Sequence, residues 1–143
     1  MVFASGDIYK GSFNAGQPEG AGIYTWTNGQ RCDCQWIKGE AQGRGQLRFA
    51  NGNEYKGPLR GGQPQGEGEM RYASGDVYTG QFEQGEIEGK GRYQWASGDF
   101  YEGQWRAGLK EGRGVMQWTN GDRWEGLYKA DAQAEGELLR KKR

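Results

Sequence analysis

Few residues in this chain have both the type and the spacing that chemistry needs. Acidic residues recur in a column, Asp76, Asp99 and Asp122, 23 residues apart. Hydrolytic carboxylates form one unique pair and not a ladder, and a residue repeated in every turn is a turn residue first. Two thiols, Cys32 and Cys34, stand two residues apart. With no histidine and no further cysteine in the chain, they make no tetrahedral metal set. The i to i+2 spacing disfavours a disulfide, so the pair is read as two small side chains filling a Tyr slot and a Gly slot. Lack of histidine also removes the usual general base and nucleophile activator. The Gly-x-Gly pairs, Gly20 with Gly22 and Gly89 with Gly91, lack the strand-to-helix setting and the lysine of a phosphate loop. No catalytic residue, no metal ligand and no cofactor is expected.

Aromatic side chains are the remaining resource, and they lie in register. From Tyr78 to Phe100 the chain reads YTGQFEQGEIEGKGRYQWASGDF, and this spacing returns every 23 residues. With Tyr78 as position 1, that position holds Tyr9, Cys32, Tyr55, Tyr78, Tyr101 and Trp124. Position 5 holds Phe13, Trp36, Leu59, Phe82, Trp105 and Tyr128, and position 18 holds Phe3, Trp26, Phe49, Tyr72, Trp95 and Trp118. Of 28 glycines, 26 keep the register at positions 3, 8, 12, 14 and 21; only Gly61 and Gly136 do not. Such fixed self-similarity marks a stacked repeat architecture.

Local patterns predict strands. Positions 1, 3 and 5 alternate with polar residues, as do 12, 14, 16 and 18, so each unit is two half-buried strands. Between units, a three-residue loop ending in a left-handed glycine keeps positions 18 and 22 opposite each other, with both aromatics on one face. Within a unit, a four-residue loop over positions 8 to 11 is expected to pair 1 with 18, 3 with 16 and 5 with 14. Each position-5 aromatic would then cover a glycine across the ladder. Pro58 removes a ladder donor, so irregular pairing is expected near residues 57 to 62.

The expected fold is all-β: an elongated, twisted, single-layer antiparallel meander of about eleven strands built from 23-residue hairpin repeats. The array covers 1–129, with a partial repeat 1–8, full repeats 9–31, 32–54, 55–77, 78–100 and 101–123, and a partial repeat 124–129. Residues 130–143 are a tail or cap, either a short helix over the sheet edge or a degenerate last strand. Because the chain starts inside a repeat, a longer array or protein is expected.

The pattern Y-x-G-x-[FWYL]-x-x-G-x-x-x-G-x-G resembles the MORN (membrane occupation and recognition nexus) repeat. It reads YKGSFNAGQPEGAG from Tyr9, YKGPLRGGQPQGEG from Tyr55, YTGQFEQGEIEGKG from Tyr78 and YEGQWRAGLKEGRG from Tyr101. The unit from Cys32 replaces the leading Tyr and its Gly, and the unit from Trp124 loses the frame after Tyr128. The resemblance implies a curved sheet with an aromatic groove, scaffolding of a protein or peptide, self-association, and binding to phospholipids or phosphoinositides.

Charge argues about these alternatives. Basic and acidic residues number 19 each, which advertises neither nucleic acid nor an anionic membrane. Arg140, Lys141, Lys142 and Arg143 form the one basic cluster, and headgroup recognition wants such clusters. No apolar run approaches the ~20 residues of a membrane-spanning helix, and the first residues lack a signal peptide's charged start and apolar core. The expected location is cytoplasmic, or peripheral at the inner face of a membrane. The favoured function is a non-catalytic scaffold binding a protein, a peptide or a second copy through Tyr9, Trp26, Tyr55, Tyr72, Tyr78, Trp95, Tyr101, Trp118 and Trp124. The alternative is a peripheral module for anionic phospholipids that uses the terminal basic cluster.

Overall fold

Turn geometry decides which residues of each unit face one another. In the computed structural model, which describes residues 1–140, the strands are β1 (Ile8–Asn14), β2 (Gln17–Thr25), β3 (Arg31–Ile37), β4 (Glu40–Arg48), β5 (Glu54–Arg60), β6 (Gln63–Pro64) and β7 (Gly66–Arg71). They continue as β8 (Val77–Glu83), β9 (Glu86–Gln94), β10 (Phe100–Arg106), β11 (Leu109–Gln117), β12 (Arg123–Lys129) and β13 (Ala132–Leu139). All join one open antiparallel sheet of 13 strands in sequence order, with β6 a short partner of β5 off the main path. The described residues contain no helix.

Between units the expected loop forms. Trp95 and Asp99 bracket Ala96, Ser97 and Gly98: the Trp95 N–H donates to Asp99 O at 2.9 Å, and the Gly98 N–H to Trp95 O at 2.9 Å. Gly98 takes φ +100°, a left-handed value that its missing Cβ allows.

The loop within each unit differs from expectation. It is a two-residue turn over positions 7 and 8, such as Gln84 (φ 48°) and Gly85 (φ 83°). Two consecutive left-handed residues match the right-handed strand twist better than a wider loop. Position 7 is left-handed even at Ala15, Lys38, Ala107 and Ala130, which is why glycine content alone pointed to positions 8 to 11. Gly61 occupies this slot with φ 56°; it is in place and not extra. After the turn Phe82 pairs with Ile87, then a bulge shifts the register so that Gly80 meets Gly91 and Tyr78 meets Tyr93. Position 1 therefore faces 16, and 3 faces 14. From Trp36 onward each position-5 residue lies opposite a glycine, but at position 12 of the preceding repeat: Trp36 on Gly20, Phe82 on Gly66 and Trp105 on Gly89; Phe13 pairs with Pro18.

Two departures follow from single residues. Opposite Pro58 the second strand breaks between β6 and β7 at Gln65, so the irregularity lies on the partner strand while β5 stays continuous. In the next unit Gln81 Oε1 accepts the Lys90 N–H at 3.0 Å, and proline has no side-chain acceptor to offer there. In the last unit Gly126 pairs with Gly136, position 13 instead of 14. One bulge residue is missing, which moves Gly136 out of frame. Ala132–Leu139 is thus a final strand and not a capping helix.

The core is a row of glycines roofed by tyrosines. From Gly68 through Gly80, Gly91, Gly103, Gly114 and Gly126 to Gly136, glycine pairs directly with glycine across the sheet. A Cβ built on Gly91 would enter the Tyr78 ring, and one on Gly114 the Tyr101 ring. Each ring lies flat on backbone that carries no side chain. The phenols are anchored by donating to the carbonyl three residues on: Tyr9 to Ser12 at 2.9 Å, Tyr55 to Pro58 at 2.7 Å, Tyr78 to Gln81 at 2.9 Å and Tyr101 to Gln104 at 3.0 Å.

Candidate partner-binding face

The aromatic face has two tiers, and the nine residues expected at the partner site divide between them. Tyr9, Tyr55, Tyr78 and Tyr101 are 0 % exposed and Trp124 is 8 % exposed. Position 5 shares this buried tier: Trp36, Phe82 and Trp105 are buried, and the Trp36 and Trp105 indoles donate to Gly22 O at 3.0 Å and Gly91 O at 3.1 Å. Trp26, Tyr72, Trp95 and Trp118 stay half-buried in the outer column, together with Phe3 and Phe49. Phe3 and Phe49 fall outside the nine, although the position-18 register marks them. Neighbouring rings hold the outer column in place, Trp26 against Tyr24 at 4.5 Å and Trp95 against Tyr93 at 5.0 Å between centres.

Recurring acids fasten repeat to repeat. Asp76 accepts the Ala96 N–H at 2.8 Å and the Tyr93 hydroxyl at 2.6 Å. Asp7 does the same for Thr27 and Tyr24, and Asp99 accepts the Thr119 N–H at 2.9 Å. At the opposite edge Glu19, Glu88 and Glu111 accept the position-7 N–H of the following repeat, each at 2.8 Å. These carboxylates are committed to backbone donors and form a ladder with no reactive pair. Burial together with the Asp7 hydrogen bond pushes the Tyr24 phenol up to about 12. Burial alone is the main cause that takes Tyr55 and Tyr101 to about 12. Donation from Tyr24 holds the Asp7 carboxyl below its ordinary range. None of these shifts moves a group toward neutrality, where acid–base catalysis operates.

Two features of this face carry no signal in the repeat pattern. Lys110, at position 10, places its Nζ 5.3 Å from the Trp95 ring centre and 5.6 Å from those of Tyr101 and Tyr128. Its cross-strand pairing with Trp105 puts it on the aromatic face; the two-residue turn sets that register, and without the turn the position could not be assigned. The middle of the face departs differently. Cys32 and Cys34 are buried, and the structure joins them as a disulfide with Cα atoms 5.5 Å apart. That replaces the expectation of two separate thiols. That Cα separation lies within the range a disulfide spans. The pair fills the slots of the missing Tyr and Gly, with Cys34 Sγ and Leu59 against Gly45.

The opposite face is polar. Its shallow depressions are lined by mixed charges, among them Arg44, Lys56, Glu67, Glu69 and Lys90. Arg140 is exposed beyond β13; Lys141, Lys142 and Arg143 lie outside the described residues. No helix among the described residues is long and apolar enough to cross a membrane.

Stacked two-stranded units, glycine rows and an aromatic face define an open repeat sheet whose main contacts, among the described residues, run between strands adjacent in the sheet. The MORN repeat family model matches residues 9–31, 35–54, 55–77, 78–100 and 101–123, and the chain belongs to that family. Among curated proteins, none matches the chain significantly. Solved structures similar to it include the TCP10c domain of Drosophila melanogaster Sas-4, at 15 % identity and TM-score 0.44, covering 94 % of this chain and 100 % of that one. Another is the Drosophila melanogaster SAS-4 (dCPAP) TCP domain in complex with a proline-rich motif of Ana2 (dSTIL). It shows 13 % identity and TM-score 0.44, covering 93 % of this chain and 90 % of that one.

Proposed function

We propose that this array is a non-catalytic scaffold that binds a protein or peptide through the outer aromatic column. One observation carries the reading. Position 18 keeps an aromatic in all six units, yet Trp26, Tyr72, Trp95 and Trp118 stay half-exposed while position 1 and, apart from the exposed Phe13, position 5 supply the buried core. Core packing alone does not call for large rings at partly exposed sites, whereas aromatic rings dominate interface energetics. The buried tyrosines act indirectly, by fixing the sheet on which the column stands.

Selection of a displayed random-peptide library on the whole chain tests this, with a Trp95→Ala, Trp118→Ala double variant as counter-target. A peptide consensus that the wild type enriches and the double variant does not is the expected result. No enrichment would count against a peptide scaffold. In that case sedimentation with phosphoinositide-containing vesicles, by the whole chain and by one ending at Leu139, would move the reading to a membrane module. A sedimentation-velocity dimer broken by the same double variant would make a second copy the partner.

A further inference from the structure

The indole N–H groups of the outer column that have no acceptor within the sheet point to the chemistry of its occupant. We infer that the column takes a proline-rich segment in the polyproline II conformation, laid across the strands, with a carboxylate at one end that reaches Lys110. This rests on the scaffold reading above and specifies its ligand.

Pitch comes first. Successive column members stand two strands apart, ~10 Å. A polyproline II helix repeats every three residues in ~9.3 Å, so one residue in three meets an aromatic. An α-helix with a heptad stripe advances ~10.5 Å and fits the pitch nearly as well. Hydrogen bonding separates the two. The Trp36 and Trp105 indoles already donate to backbone carbonyls, but those of Trp26, Trp95 and Trp118 have no acceptor among the described residues. The column therefore offers donors. An α-helix has spent its interior carbonyls on its own N–H groups, and a flat β-strand would bring N–H groups needing acceptors of their own. Proline supplies carbonyls without N–H donors, and aromatic-lined grooves recognise this conformation.

Charge then fixes one end. Lys110 Nζ sits among the Trp95, Tyr101 and Tyr128 rings and makes no ion pair within 4 Å among the described residues, while Asp131 Oδ1 accepts the Lys110 backbone N–H at 2.8 Å. The carboxylates along this edge are taken up by backbone donors, and a cation held against three rings is complementary to an acidic residue arriving with the ligand.

Calorimetric titration of the whole chain with a synthetic peptide of Pro-Pro-Leu triplets ending in two aspartates tests the inference. A leucine-heptad helical peptide with the same acidic end serves as competitor. The proline peptide is expected to bind more tightly. Trp95→Phe or Trp118→Phe, which keeps a ring and deletes the N–H, should each weaken it about fivefold. Lys110→Glu should weaken it at least tenfold and reverse the preference toward a lysine-ended peptide. If only the helical peptide binds, and needs Trp95, the polyproline inference is overturned while the groove stands. If neither peptide binds, or the Phe variants bind like wild type, the inference is also overturned; the scaffold reading then stands or falls on the displayed-library result.

Discussion

At the scale of single residues, a tyrosine ring lying on a glycine row explains both residue types at once. Gly91→Ala would drive a methyl group into the Tyr78 ring, and we expect it to cost ~1–3 kcal/mol as overpacking. Gly29 has nothing within 4 Å of a built Cβ but takes φ +94°; Gly29→Ala should cost ~1 kcal/mol from backbone conformation alone. Urea unfolding of the two variants separates collision from strain. The same burial makes stability pH-dependent. Tyr24, Tyr55 and Tyr101 are raised from the ordinary phenol value to about 12, so the folded chain holds these protons more tightly than the unfolded one. Their contribution is fully present below pH ~10 and is lost as the pH rises through ~12. The melting temperature should therefore fall across that interval, with phenolate absorbance rising only as the sheet unfolds. A flat melting temperature, with phenolate absorbance developing at its ordinary pH, would contradict the roofed-tyrosine core. The face carrying these rings was legible in the sequence because alternation assigns it. Which rings are covered was not, since exposure depends on the neighbouring strand and not on residue type.

At the scale of the hairpin, stability resides in fasteners between repeats. Glu88 accepts the Ala107 N–H at 2.8 Å, while Glu86 two residues earlier is exposed with no such role. Glu88→Ala should cost about 1 kcal/mol and Glu86→Ala close to nothing, read from paired melting curves. Gly61 holds the left-handed slot that Ala fills in three other units. Gly61→Asn should be neutral or stabilising by a few tenths of a kcal/mol, because Asn tolerates this conformation and restricts the unfolded chain. A loss of more than ~1 kcal/mol there would mean that the turn was misassigned. Loops between units were readable from their glycine. The turns inside units were not, because alanine, lysine and glutamine adopt left-handed φ there under the constraint of strand twist. The final strand was obscured by a single missing bulge residue before Gly136, which broke the frame without breaking the ladder.

At the scale of the molecule, each repeat touches only its neighbours, so the array should behave as a sum of units. Deleting residues 78–100 joins Val77 to Tyr101 with the register kept. The shortened chain should fold, with a urea m-value reduced in proportion to the lost surface. The single-layer sheet, its repeat length and its aromatic face all follow from period and alternation, and these are visible in the chain. What supports the proposed ligand at that face is the contrast between covered and uncovered rings, which emerges only with the strand register. Urea unfolding of Trp95→Ala beside Trp105→Ala tests that contrast most directly. Trp105, buried and bonded to Gly91 O, should cost ~3–5 kcal/mol, and Trp95, half-exposed in the outer column, about 1 kcal/mol or less. Equal losses would make the outer column part of the core and leave no aromatic surface for a partner.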